Sequence, residues 1–215
     1  MNSRNAQNII LDSLSRIFDC LLLGILWMVC SIPVVTAGAA FTAVYYAYNK
    51  AVRQDCGHPC REFFHGFKEN FKQSTIAFLV IVVILLVLYG DFYIVMGFLK
   101  TIPMAGVLLA FAITMMAVAI TWGIYVLAYI ARFELDTKTV MKNCIFILGI
   151  NIGWSLLLLA VTFIAIIAFS LAFFVGFVVM AVYVPIANWV LERVFRKYMQ
   201  PEERQEQLEL DKTQA

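Results

Sequence analysis

Apolar residues in this chain come in long runs, not in the strand alternation or single-faced helical spacing of a water-soluble fold. A membrane-spanning helix needs about 20 apolar residues, and three uninterrupted tracts are long enough. Residues 76–99 carry one charge, Asp91, while 102–131 and 144–191 carry none. As a single helix the last tract, 48 residues, would reach roughly 72 Å. That is more than twice a hydrocarbon thickness of about 30 Å, so the pattern predicts two spans with a turn near 168–170. An earlier apolar run, 17–32, follows Asp12, Arg16 and Asp19 and stops at Pro33, which cannot continue a helix. The run 34–48 is short and small-residue-rich (Ala37, Gly38, Ala39, Ala40, Ala43, Ala47). It reads either as a brief second crossing or as a helix packed closely on its neighbours. Between the two runs, 33–38 reads as a tight outer turn, with Pro33 limiting the first helix and Gly38 admitting close approach.

These elements predict an all-α, polytopic membrane helical bundle. It has five to six transmembrane helices and a cytoplasmic interfacial amphipathic helix. The spans fall at roughly 17–33, 34–48 (short), 74–98, 103–131, 143–167 and 170–191, inside a transmembrane domain of 1–200. A polar cytoplasmic tail, 201–215, carries five acidic and two basic residues.

Composition agrees with this pattern. Hydrophobic residues make up 63% of the chain and charged ones 14%, against about a quarter in soluble domains. A bilayer accommodates that apolar surface where a soluble core of this size does not. The net charge of +2 is too small to suggest nucleic acid binding. Acidic residues interrupt the region before the first run, which therefore does not read as a cleaved signal and is expected to stay. Basic residues collect on cytoplasmic loops. An even number of crossings places 15 of the 16 Lys and Arg on that side, leaving only Lys100 outside. Both termini are then cytoplasmic. Three returns to that side carry loosely similar stretches, Ala47-Tyr48-Asn49, Ala128-Tyr129-Ile130 and Ala187-Asn188-Trp189. Either a threefold repeat or the ordinary preferences of interfacial residues accounts for them.

Candidate chemistry concentrates in the first long loop. On a helix through 61–72, Phe63, Phe64, Phe67 and Phe71 share one arc, with Arg61, Glu62, His65, Lys68, Glu69 and Lys72 opposite. Asn70 sits at the edge and is expected to bond neighbouring backbone. Such a helix anchors at the headgroups or docks a partner. The candidate partner-binding face is Arg61, Phe63, Phe64, Phe67, Lys68, Asn70, Phe71 and Lys72. Cys56, His58, Cys60 and His65 match no zinc spacing, and Gly57 and Pro59 suggest a plain turn. No metal is expected there, and no disulfide framework. Asp91 reads as an interfacial carboxylate, since 17 residues already precede it from Ser74. The sequence holds no phosphate-binding loop, dinucleotide fingerprint or zinc-protease motif. No enzyme activity and no cofactor are expected.

Several motifs together carry a resemblance. They are Leu26-Trp27, the stretch Ser-Ile-Pro-Val-Val-Thr-Ala-Gly at 31–38, Ala43-Val44-Tyr45-Tyr46 and Lys50-Ala51-Val52-Arg53. Phe63-Phe64, Gly66-Phe67-Lys68 and Asn70-Phe71-Lys72-Gln73-Ser74 continue it. On these residues, about the first third of the chain, it resembles the YesL family of bacterial membrane proteins, defined by a domain of unknown function. The resemblance implies a helical domain of the bacterial plasma membrane without established activity. Proteins of this kind accompany systems for taking up and using complex carbohydrates. An accessory or regulatory role is therefore expected, with the lipid bilayer and a sugar-transport permease or other membrane protein as partners. The rival expectation is a small transporter or permease component. A permease half needs a coupling helix resembling Glu-Ala-Ala-x-x-x-Gly, and the loop 132–142 lacks it.

The orientation is testable by cysteine labelling of intact cells. A cysteine introduced near Lys100 should react with an impermeant reagent, and cysteines near Gly57 or Lys138 should not. Labelling at Gly57 would overturn the assignment.

Overall fold

The computed structural model describes residues 3–54, 56–98, 104–133, 135–171 and 176–199, with side chains from residue 14 onward. All regular structure among the described residues is helical. The order is α1 (Ser3–Cys30), a 3-10 turn (Val34–Thr36), α2 (Ala37–Ala47), a π-helical turn (Tyr48–Arg53) and α3 (Pro59–Phe98). Then come α4 (Ala105–Arg132), α5 (Thr137–Ile150), α6 (Ile152–Leu171) and α7 (Gly176–Phe195). Among the described residues, four helices are long and apolar enough to cross a membrane: α3, α4, α6 and α7. This is the architecture of a helical membrane bundle. Its outward surface is apolar, with Leu86, Ile164 and Leu171 at 63%, 65% and 84% exposure. Water penalises a surface of that kind, and lipid does not.

Several boundaries differ from the sequence-based expectation. The amphipathic stretch 61–72 is the start of α3, continuous with the span after it. Pro59 opens that helix at the position where a missing N–H costs nothing. Before it, Gly57 takes a left-handed φ of 93°, which makes the Cys56–Cys60 segment a turn. The predicted turn at 168–170 is helical, because α6 runs to Leu171 and α7 begins at Gly176. With neither Gly nor Pro at 168–170, nothing there stops the helix.

The predicted span 143–167 is broken at Asn151, so the crossing helix is α6 and α5 lies before it. Asn151 leaves the helical region, with φ −110° and ψ 45°. Its Nδ2 donates to the Ile147 carbonyl at 3.0 Å and to the Tyr198 hydroxyl at 2.9 Å. Its Oδ1 accepts from Lys197 at 2.9 Å. An amide competing with the backbone in this way favours a break. The N-terminus of α5 is capped by the Asp136 carboxylate, which accepts from the Lys138 N–H.

The run 34–48 starts exposed at Val34 and Val35 and lies mostly in the interior from Gly38 to Ala47. With 11 residues, α2 is only about 16 Å long. It packs against α1, α3 and α4, and Ala40, Ala43 and Ala47 are fully buried. The turn before it is held by the Thr36 hydroxyl, which donates to the carbonyls of Cys30 and Pro33 at 2.5 and 2.7 Å. Glycine sets two of the closest approaches. A Cβ on Gly24 of α1 would strike the Phe177 carbonyl of α7, and one on Gly38 of α2 would strike the Phe78 side chain of α3. Small residues at helix contacts are how membrane bundles gain packing without a hydrophobic drive between helices.

Gly24→Ala and Gly38→Leu should therefore each destabilise the detergent-solubilised protein, by about 1–3 kcal/mol for overpacking. Gly90→Ala, with nothing within 4 Å of the new methyl, should be neutral. Thermal unfolding monitored by helix signal checks this. Equal behaviour of the three variants would refute the packing assignment.

Candidate functional site

Most of the described basic residues sit at one end of the bundle, where α2, α4 and α7 finish and α3 and α5 begin. There the Glu192 carboxylate of α7 is buried, at 3% exposure. Arg53 of the π turn lies 2.9 Å from its Oε2 and Arg132 of α4 lies 3.6 Å from its Oε1. The Tyr45 hydroxyl of α2 donates to Oε1 at 3.1 Å. The Arg53 and Arg132 contacts are ion pairs more than aligned hydrogen bonds, since neither Oε2 nor the Arg132 Nε meets hydrogen-bond geometry. Two guanidiniums and a hydroxyl thus compensate one desolvated carboxylate, as a buried charge requires.

The helix face through Asn188, Glu192 and Arg196 repeats at the i, i+4 spacing. With Tyr48, Arg53 and Arg193 it lines a cavity of about 400 Å³. The Arg193 guanidinium lies 4.4 Å from the Trp189 ring centroid and 5.4 Å from that of Trp154, a cation–π arrangement. The two indoles meet edge to face at 5.8 Å.

A second cluster surrounds the start of α3. Glu62 pairs with Lys50 at 2.9 Å and is largely buried, although the helical pattern puts it on the solvent side. Hydrogen bonds to Glu62 and then to the Tyr46 hydroxyl raise the Lys50 pKa above its ordinary value, so it stays charged through the neutral range. Of the candidate partner face, Arg61, Phe64, Lys68, Phe71 and Lys72 are exposed, and Phe67 and Asn70 are half-buried. Phe63 is fully buried and belongs to the core cluster, whereas Phe64 on the same arc is exposed. Asn70 donates to the Gly66 carbonyl at 3.1 Å. Gln73 donates to the Leu135 carbonyl at 2.6 Å, which joins this segment to the loop before α5. Pro33 is exposed at the other end, and Gly38 is buried. Cys56 and Cys60 are free, exposed thiols. Asp91 is exposed on α3; Lys100 lies outside the described residues.

Sequence reasoning missed Glu192 by treating it as the polar flank of the last apolar tract. The polar stripe at 188, 192 and 196 on an otherwise apolar helix was the available signal.

Comparison with known proteins supports the resemblance as far as an uncharacterised-domain family. Residues 20–92 match a family described as a protein of unknown function, DUF624. The matched stretch runs from α1 through most of α3 and contains the motifs at 26–74. No curated protein matches the chain, and no solved structure does.

Removing the Glu192 carboxylate leaves the largely buried guanidiniums of Arg53 and Arg132 without the anion they share. Glu192→Ala should therefore cost about 3–5 kcal/mol, and Tyr45→Phe about 1 kcal/mol. Unfolding of the single variants and of Arg53→Ala/Glu192→Ala, as a double-mutant cycle, checks this. Additivity of the pair would show that the two residues are uncoupled.

Proposed function

We propose that this protein is a non-enzymatic accessory or regulatory component of the bacterial cell membrane, serving carbohydrate uptake and acting by binding a protein partner at the basic end of its bundle. The carbohydrate setting rests on the resemblance to the YesL family at 26–74. The partner-binding reading rests on where the polar groups lie.

Within the helices, several hydroxyls are used internally, while Ser74 Oγ and Thr75 Oγ1 at the start of the α3 span are buried without a hydrogen-bond partner. Thr42 donates to the Gly38 and Leu127 carbonyls, Thr162 pairs with the Tyr183 hydroxyl at 3.1 Å, and Tyr125 pairs with Ser155 at 3.3 Å. Asn151, the best polar candidate for a substrate path, is taken up by Lys197 and Tyr198. A sugar path must replace water around many hydroxyls, so groups already engaged serve it poorly. Exposed aromatic and charged side chains gather instead on 61–72, which Gln73 ties to the 135 loop. Together with the positive-inside preference, this reading puts the basic end and both termini in the cytoplasm.

Arg61→Glu with Lys68→Glu, both at exposed positions, should leave the protein folded in the membrane and abolish recovery of a co-purifying permease or other membrane partner. Unchanged recovery would refute the face. Substrate uptake by vesicles reconstituted with this protein alone would establish the rival transporter reading.

A further inference from the structure

The exposed side chains at the start of α3 form a single stripe. Arg61, Phe64, Lys68, Phe71 and Lys72 are all exposed. Their spacing places them within an arc of about 100°, along about 16 Å of helix. The stripe straddles the border between the aromatic and the charged arcs. Gln73 donates to the Leu135 carbonyl, so α5, with Lys138 and Lys142 exposed, adjoins the Lys72 end. None of Arg61, Lys68, Lys72, Lys138 and Lys142 has an ion-pair partner among the described residues. The acids beside them are Glu69, which lies 3.2 Å from His65, and Asp136, which caps α5. Glu62 is taken up by Lys50, and Glu134 lies outside the described residues. We propose that this stripe is the docking site of the chain's own acidic tail, residues 201–215.

Three observations carry the assignment. First, the two surfaces are complementary in charge and in apolar content. The tail holds Glu202, Glu203, Glu206, Glu209 and Asp211 against Arg204 and Lys212, an excess of acid that meets the excess of base on the stripe. Glu202 and Glu206 repeat the four-residue spacing of Lys68 and Lys72. Leu208 and Leu210 are apolar partners for Phe64 and Phe71, which are 55% and 39% exposed.

Second, the tail is attached beside the stripe. The Met199 sulfur, just before the tail, lies 4.0 Å from the Arg132 guanidinium. Arg132 precedes by three positions the Leu135 whose carbonyl Gln73 holds. The 16 residues after Met199 in this sequence can extend to about 50 Å, several times the length of the stripe. Third, the tether supplies what exposed charges lack. Each exposed ion pair contributes only about 0–1 kcal/mol, so a free acidic peptide would bind weakly. A tethered one is present at an effective concentration on the order of millimolar, at which weak docking is populated and still displaceable. The inference rests on the partner-binding reading in one respect: a tail on this stripe competes with a partner for it.

The test places a photo-crosslinking phenylalanine analogue at Leu208 of the full-length protein in phosphatidylcholine nanodiscs. Peptide mapping by mass spectrometry reads where it attaches. Adducts should fall within residues 61–72 or 138–142 of the same chain, and their yield should drop about threefold or more from low to high salt. Glu202→Lys with Glu206→Lys and Glu209→Lys should abolish them. Adding Arg61→Glu, Lys68→Glu and Lys72→Glu to that variant should restore them, a recovery that misfolding cannot produce. The location of the adducts and their salt dependence in the chain without these charge reversals decide the question even if a variant does not fold. Adducts to lipid alone overturn the proposal, since the tail or the stripe would then belong to the bilayer. So do adducts that bridge two chains, or a yield indifferent to salt. Recovery of a membrane partner is scored separately. If the adducts are absent while Arg61→Glu with Lys68→Glu still abolishes that recovery, the tail docking is refuted and the partner face stands.

Discussion

A carboxylate placed where Glu192 sits is expensive to keep ionised unless compensating charge is held against it. The compensation comes from three separate elements: Arg53 after α2, Arg132 at the end of α4 and Tyr45 within α2. The contact therefore fixes the relative register of α2, α4 and α7 at one end of the bundle. Apolar packing alone leaves that register loosely specified, because helices in lipid slide past similar faces at little cost. Breaking such a cluster by removing one partner is costly, whereas replacing the whole set by apolar residues is often neutral. Its value here lies in specificity of arrangement more than in net stability.

The remaining architecture follows from having lipid outside. Outward side chains need only be apolar, so the packing information sits inside. Gly24 against the Phe177 carbonyl and Gly38 against Phe78 set how closely α1 meets α7 and α2 meets α3. Alanine lets α2 run through the interior among larger helices. Where the helical ladder is interrupted, polar groups are placed to receive the freed backbone. Asn151 bonds Ile147, Lys197 and Tyr198, and Thr36 covers the carbonyls of Cys30 and Pro33. Pro185 interrupts α7 in a different way: it has no N–H to give, and it lines the cavity beside Glu192.

The proposed function belongs to the basic end. Thr42, Tyr125, Ser155, Thr162 and Tyr183 are bonded within the protein, while charge, aromatic surface and the polar concavity gather at one end. Lys50–Glu62 and Gln73–Leu135 hold the start of α3 and the 135 loop in place. A partner meeting Arg61, Phe64 or Lys68 would therefore meet a preorganised surface, and preorganisation reduces the ordering cost of binding.

Hydropathy is a property of each residue and its near neighbours, so the sequence alone determined the class of the protein. The long tracts, the basic loops, the amphipathic stretch at 61–72 and the close packing expected at Gly38 were all legible there. What depended on pairs of distant residues was not. Glu62 reads from the sequence as a solvent-facing acid, yet Lys50 lies beside it, and Phe63 reads as part of the partner face, yet it is buried in the core cluster. Asn151 read as one polar residue in an apolar tract, yet it ends α5, because Tyr198 and Lys197 reach it from beyond α7. Glu192 read as the first charge after the last span. Only the tertiary structure brings Arg53, 139 positions earlier, against it, because the energy of a charge in a low-dielectric site depends on what surrounds it and not on where it falls in the chain.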